Sequence, residues 1–241
     1  MAAKKKEGTT IDHETQEETK NLPVSIEDQM KQALAAQKGQ LGALPSNKIA
    51  TKGKKFTMPD GQDGEVLECV VLDFAWFMVN YPGVYNANNP QQPNCFAVGR
   101  DNPDSGDLKP HESSADAQHE NCRDCPKNQW KSAPSGNGKA CKNQRRLVIL
   151  PLGAEEDTEP MTLYVSPGAL KNFDSYVSRL ASEHGLLPVQ VVTEISFDAN
   201  QSYPSLIFKF VKPNDQVEFY WSKREGSQEL LMRPLETKEE K

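Results

Sequence analysis

No run in the chain is long and apolar enough to form a membrane span. Hydrophobic residues make up only 36% of the 241, too few for a chain packed end to end, so part of it is expected to be tail or loop. The leader Met1–Lys6 is charged and no apolar stretch follows it, so secretion and disulfide pairing are not expected and a reducing cytoplasm is. Several enzyme signatures are also missing. His111-Glu112 and His119-Glu120 are adjacent pairs, not the His-x-Glu of a zinc deaminase. Gly136-Asn-Gly138-Lys139 does not continue into a phosphate-cradling loop. The acids lie in loops or tail, not clustered on strands as a metal-dependent nuclease would want them, and no nucleophile–base pair stands out. Catalysis is therefore not expected.

What is present is a block of cysteines. Four of five fall between Cys95 and Cys141, spaced C-x26-C-x2-C-x15-C as Cys95, Cys122, Cys125 and Cys141. Two thiolates three positions apart grip one ion from a tight turn, and two more complete a tetrahedron. A structural zinc site is the expectation. An iron–sulfur cluster takes the same ligands, so spacing leaves that open. His111 and His119 are spare ligands or, more plainly, solvated loop histidines. Cys69, inside an apolar segment, reads as a small core residue.

The order of elements predicts a mainly β fold. Residues 1–44 read as a disordered leader with a possible short helix over residues 25–40, capped by Ser25. A long extended segment follows at 65–81, then a short strand at 95–98 entering the insert, and strands at 146–152 and 161–165. The clearest helix has Ser166 as cap, Pro167 in its first turn, an apolar face of Leu170, Phe173, Val177 and Leu180, and Gly185 as its stop. Strands at 187–197 and 203–212 come next, then a short helix at 214–223 and an acidic tail. Strand, strand, strand, helix, strand, strand is the order of a five-stranded OB-fold barrel with a helix between strands three and four. The expected domain is residues 45–212, with a metal-binding insert at about 95–144, and residues 213–241 form the helix and tail.

Net charge is −6, but its distribution matters more than the sum. Residues 121–150 carry seven Lys and Arg against Asp124 alone, a net of +6 in thirty residues. Trp130 lies among them. A rigid knuckle presenting lysines, arginines and an aromatic suits phosphate and base. Lys54, Lys55, Lys127, Lys131, Lys142, Arg145 and Arg146 are the candidate phosphate contacts, and Trp76, Tyr81, Tyr85 and Trp130 the candidate stacking rings. The plainer alternatives are a solvated lysine run at 45–56 and aromatics that only pack.

The pieces Val71-Leu-Asp-Phe74, Tyr81-Pro-Gly-Val-Tyr85, Pro93-Asn-Cys-Phe-Ala-Val98, Cys122-x-x-Cys125-Pro-x-Asn128-x-Trp130 and Gly138-Lys-Ala-Cys-Lys-Asn143 resemble bacteriophage OB-fold single-stranded-DNA-binding proteins with a zinc-ribbon-like insert. The resemblance spans about residues 45–212. It implies a sequence-tolerant single-stranded-DNA-binding protein of DNA replication or recombination, working in the host cytoplasm, with Cys95, Cys122, Cys125 and Cys141 on structural zinc. It also implies charged termini that recruit replication or recombination proteins, although the tail here is interrupted by Lys238 and Lys241 and lacks a terminal aromatic. The alternative is a protein-interaction module in which barrel and zinc loop dock such factors.

Overall fold

The computed structural model describes residues 47–83 and 91–235, together with Ile26, Gln29 and Met30. The chain divides into two units, Met1–Leu44 and Pro45–Lys241. In the first, Ile26, Gln29 and Met30 are helical. The expected disordered leader, the rest of the expected short helix, Tyr85 and residues 236–241 lie outside the described residues. No helix among the described residues is long and apolar enough to cross a membrane.

The second unit is built on antiparallel sheet. Strands β1 (Ala50–Lys52), β2 (Lys55–Thr57) and β3 (Asp63–Gly64) make a small three-stranded sheet. The main sheet contains β4 (Val66–Asn80), β5 (Cys95–Gly99), β6 (Lys142–Pro151), β7 (Met161–Val165), β8 (Val191–Phe197) and β9 (Leu206–Pro213). Its order is β7-β6-β4-β8-β9, with β5 also paired to β4. No ladder joins β7 to β9 among the described residues, so the sheet keeps two edges there.

Strand β4 organises everything else. Its Val- and Phe-rich run suits a pleated, buried surface, and 15 residues let it serve several neighbours. Val66 to Cys69 pair with β8, Cys69 to Val79 with β6, and Trp76 to Asn80 with β5. The register slips between Val71 and Asp73, a bulge that bends the strand where it changes partners.

One face of the sheet closes on α1 (Leu170–Arg179). Phe173 meets Phe74 and Phe208 edge-on, each at 5.1 Å between ring centres. Cys69, Leu147, Ile149, Leu163, Ile195 and Phe56 complete this core, all fully buried. Tyr176 shares a 2.6 Å hydrogen bond with buried Thr193, so its hydroxyl enters the core with a partner. Burial pushes that hydroxyl's pKa up to about 12. Ser166 takes the expected N-cap position, its carbonyl accepting the Ala169 N–H at 2.9 Å, but its side chain does no capping. Pro167–Ala169 form a separate 3-10 turn, the helix starts only at Leu170, and Ser166 Oγ makes no capping bond. At the other end Leu180–His184 widens into a π turn, and Gly185 stops it at φ 64°, a conformation glycine adopts freely. Residues 187–190, expected as strand, contain a 3-10 turn because Pro188 cannot donate to a ladder; β8 begins at Val191.

The opposite face is covered by α2 (Val217–Gly226) and α3 (Gln228–Met232). Tyr220 and Leu231 are fully buried against Val70, Leu72, Val148 and Leu150. The same helices answer buried Asp73 in the β4 bulge. Its carboxylate takes Arg100 at 2.8 Å, Arg224 at 2.9 Å and the Gln228 amide at 2.8 Å. Burial pushes the Asp73 carboxyl up, but bonds from Arg100, Gln228 and the Phe74 N–H outweigh it, leaving its pKa below the ordinary 3.8.

Candidate nucleic-acid interface and cysteine knuckle

The segment between β5 and β6 packs on the far half of β4. Leu108 inserts beside Trp76, Met78 and Ala97. It approaches Gly99 so closely that a Cβ there would lie 2.6 Å from Leu108 Cδ1, and the Leu108 side chain would have to shift to admit one. Beyond it the chain is held by polar bonds. The Cys122 N–H donates to the Leu108 carbonyl at 2.8 Å and the Cys141 N–H to the Lys127 carbonyl at 2.8 Å. Buried Asn128 donates to the Pro103 and Cys122 carbonyls, both at 3.0 Å. Lys139 pairs with Asp104 at 2.6 Å.

These bonds bring the four insert cysteines to one place. Cys95 opens β5, Cys122 and Cys125 flank the tight turn before Pro126–Asn128, and Cys141 directly precedes β6. All four are at least 92% buried and line a single cavity of about 20 Å³. That volume admits one water-sized particle. Burial pushes the Cys122 thiol up to about 12, with Cys95 and Cys125 adding to it. Burial also raises Cys141, followed by Cys122, Cys95 and Cys125. The four cysteines share this cavity, but among the described residues no group of three or more His, Cys, Asp or Glu side chains is arranged to hold a metal ion. Four thiolates are the donor set that a structural zinc or an iron–sulfur centre takes. The spare histidines are engaged otherwise. The His111 ring stacks on Phe96 at 4.9 Å, and His119 Nδ1 meets the Asn121 backbone. Cys69 sits apart, fully buried in the α1 core.

A cleft of about 490 Å³ opens beside the knuckle. It is lined by Tyr81 and the end of β4, by the chain just before β5, and by Lys127, Lys142 and residues 132–135 of the insert. Three expected contacts, Tyr81, Lys127 and Lys142, therefore converge on one concavity. Both lysines are exposed. The Tyr81 ring is 46% exposed, and its hydroxyl pKa is raised by burial and by Tyr164 nearby. Trp130 is 74% exposed on the knuckle, with Lys139 Nζ 5.6 Å from its ring centre, but does not line the cleft. Lys131, also exposed, follows at φ 67°.

Other expected contacts lie elsewhere. Trp76 is 8% exposed, and the Arg145 guanidinium covers its ring at 3.5 Å while pairing with Asp174 at 3.0 Å. Arg146 is 2% exposed; it donates to Tyr164 Oη at 3.0 Å and to the carbonyls of Leu231 and Arg233. Two adjacent arginines thus point to opposite faces of β6, and neither guanidinium is left to solvent. Lys54 Nζ donates to the carbonyls of Asp198 and Ala199, while Lys55 is exposed on the small sheet.

Lys48 belongs to the basic run that the sequence offers as a phosphate-touching arm, whereas Tyr164 was not among the expected contacts. Backbone bonds between Asn47, Ile49 and Thr162 lay the start of the unit along β7, and Lys48 Nζ comes to rest 4.8 Å from the Tyr164 ring centre. Its pKa is lowered by burial and by Arg146. Lys48 was visible in the basic run at 45–56, but only the pairing along β7 gives it an aromatic neighbour. No family model, curated protein or solved structure matches the chain.

Proposed function

We propose that the protein binds single-stranded DNA through the cleft beside the knuckle and acts in replication or recombination, without catalysis of its own. The observation that carries this is the convergence of an exposed tyrosine with two exposed lysines on one concavity. Lysines neutralise phosphate and release counterions, and an aromatic face stacks a base of any identity. Lys48 over Tyr164, close to Tyr81, extends the same combination along the sheet. Exposed Trp130 and Lys131 extend it along the knuckle.

The architecture behind the cleft is read as an OB-fold. A bent first strand shared by several neighbours, a three-strand run, a helix and two further strands support it. The insert is read as a zinc knuckle held by Cys95, Cys122, Cys125 and Cys141. The ion would supply structure only, fixing the turn that carries Lys127 against the strand that starts with Lys142. Dilution anisotropy with labelled oligo-dT tests the reading. Tight binding that weakens steeply with added salt is expected, and Lys127→Glu with Lys142→Glu should reduce it at least tenfold. No binding at low salt would defeat the proposal. Unchanged binding in the double variant would move the interface elsewhere and favour a protein-docking role for this face.

A further inference from the structure

The cleft is walled by amides as well as lysines. Asn80 and Asn94 stand side by side across the β4–β5 connection, the Asn94 N–H bonded to the Asn80 carbonyl at 3.0 Å. Gln118 comes in from the insert, its Nε2 already donated to Asp116. Asn94 lines this wall, but its Oδ1 is turned away from solvent and no donor meets it there, so the side chain loses no hydrogen bond by rotating the oxygen into the cleft. A buried acceptor without a donor is costly, so it marks a place where an incoming group would be rewarded. Side-chain amides present a donor and an acceptor in one plane, which matches the edge of a nucleobase. Phosphate offers no donor to such a group.

We propose that the cleft seats one unstacked nucleotide whose base lies on Tyr81 and donates an N–H from its Watson–Crick edge to Asn94 Oδ1, the amide rotating into the cleft to receive it. Lys127 and Lys142 hold the phosphate beside it. This rests on the single-strand reading and deepens it. Charge and stacking alone accept any base, whereas this seat requires a base bearing an N–H.

The test compares labelled oligo-dT with an oligonucleotide of equal length built from N3-methylthymidine. The methylated strand keeps charge and ring but loses the imino N–H. The wild-type protein should bind oligo-dT about two- to tenfold more tightly, the range of one hydrogen bond. Asn94→Ala should bind both strands alike. Asn94→Asp keeps an acceptor and should retain the preference, which separates loss of the acceptor from loss of fold. Lys127→Glu should weaken both strands equally. Equal affinity of the wild type for the two strands, or a preference that survives in Asn94→Ala, overturns the seat while leaving salt-dependent binding intact. Absence of binding to either strand overturns the single-strand reading itself.

Discussion

The α1 core and the cysteine insert share strand β4 but are held by different forces. Around α1, buried Phe, Leu, Ile and Val side chains pack against one another, and Tyr176 with Thr193 makes a single internal polar pair. In the insert, Leu108 is a lone apolar anchor, and the rest is Asn128, Lys139–Asp104, turn bonds and four thiols. Apolar packing needs no ligand and tolerates loss of one contact. A loop built from polar bonds has little burial to offset its ordering entropy, so the proposed ion would matter more there.

The sharpest break of this contrast is removal of two sulfurs. On the proposed reading, metal analysis should find one zinc per wild-type chain and none in Cys122→Ser with Cys125→Ser, and the double variant should lose oligo-dT affinity on the order of a hundredfold. The far-ultraviolet circular dichroism of the sheet should persist. Collapse of the whole fold would show that the two regions are not separable. In the other direction, Phe173→Ala should cost about 3–5 kcal/mol in chemical denaturation. Zinc content and affinity of the folded fraction should stay unchanged.

Asp73 sharpens the comparison from the second face of the sheet. Its pKa is lower folded than unfolded, so its stabilisation is complete above the ordinary value of 3.8 and is lost as pH falls through the lower folded value. Asp73→Asn should therefore be less stable than the wild type at neutral pH, by on the order of 2 kcal/mol. The difference in melting temperature should shrink on acidification below about pH 4. A gap that stays constant with pH would remove the carboxylate from the account. The smallest effect is expected at Trp130. Trp130→Ala should leave the melting temperature unmoved and weaken oligo-dT binding by about 1 kcal/mol, the low end for one stacked base. A loss of stability instead would make it a packing residue.

Local pattern made the α1 core legible. Phe173 and Leu180 are buried on the stripe their spacing predicts, and the Val- and Phe-rich run at 65–81 became β4. The small sheet was not legible, because Gly53 and Lys54 both turn at positive φ inside what reads as a bare basic run. Spacing grouped the four cysteines; they line one small cavity, but among the described residues their side chains are not arranged to hold an ion. The roles of the arginines were not. Arg145 and Arg146 look like a basic pair, yet strand alternation sends one to Asp174 and the other to carbonyls 85 and 87 positions away. Asn94 gives no signal in the sequence either, since its place on the cleft wall depends on how β4 meets β5.

Arg146 also bears on anyone who would shorten this chain. Its guanidinium sits inside the fold, and two of its acceptors belong to residues 231 and 233. A stop codon ahead of Leu231 would do more than remove a surface helix: it would strand a positive charge beneath the sheet with the Phe77 and Tyr164 rings beside it and the Tyr164 hydroxyl as its remaining hydrogen-bond acceptor. Trimming for solubility should therefore stop after Leu235, and a shorter version would be rescued best by exchanging Arg146 for an uncharged residue of similar bulk.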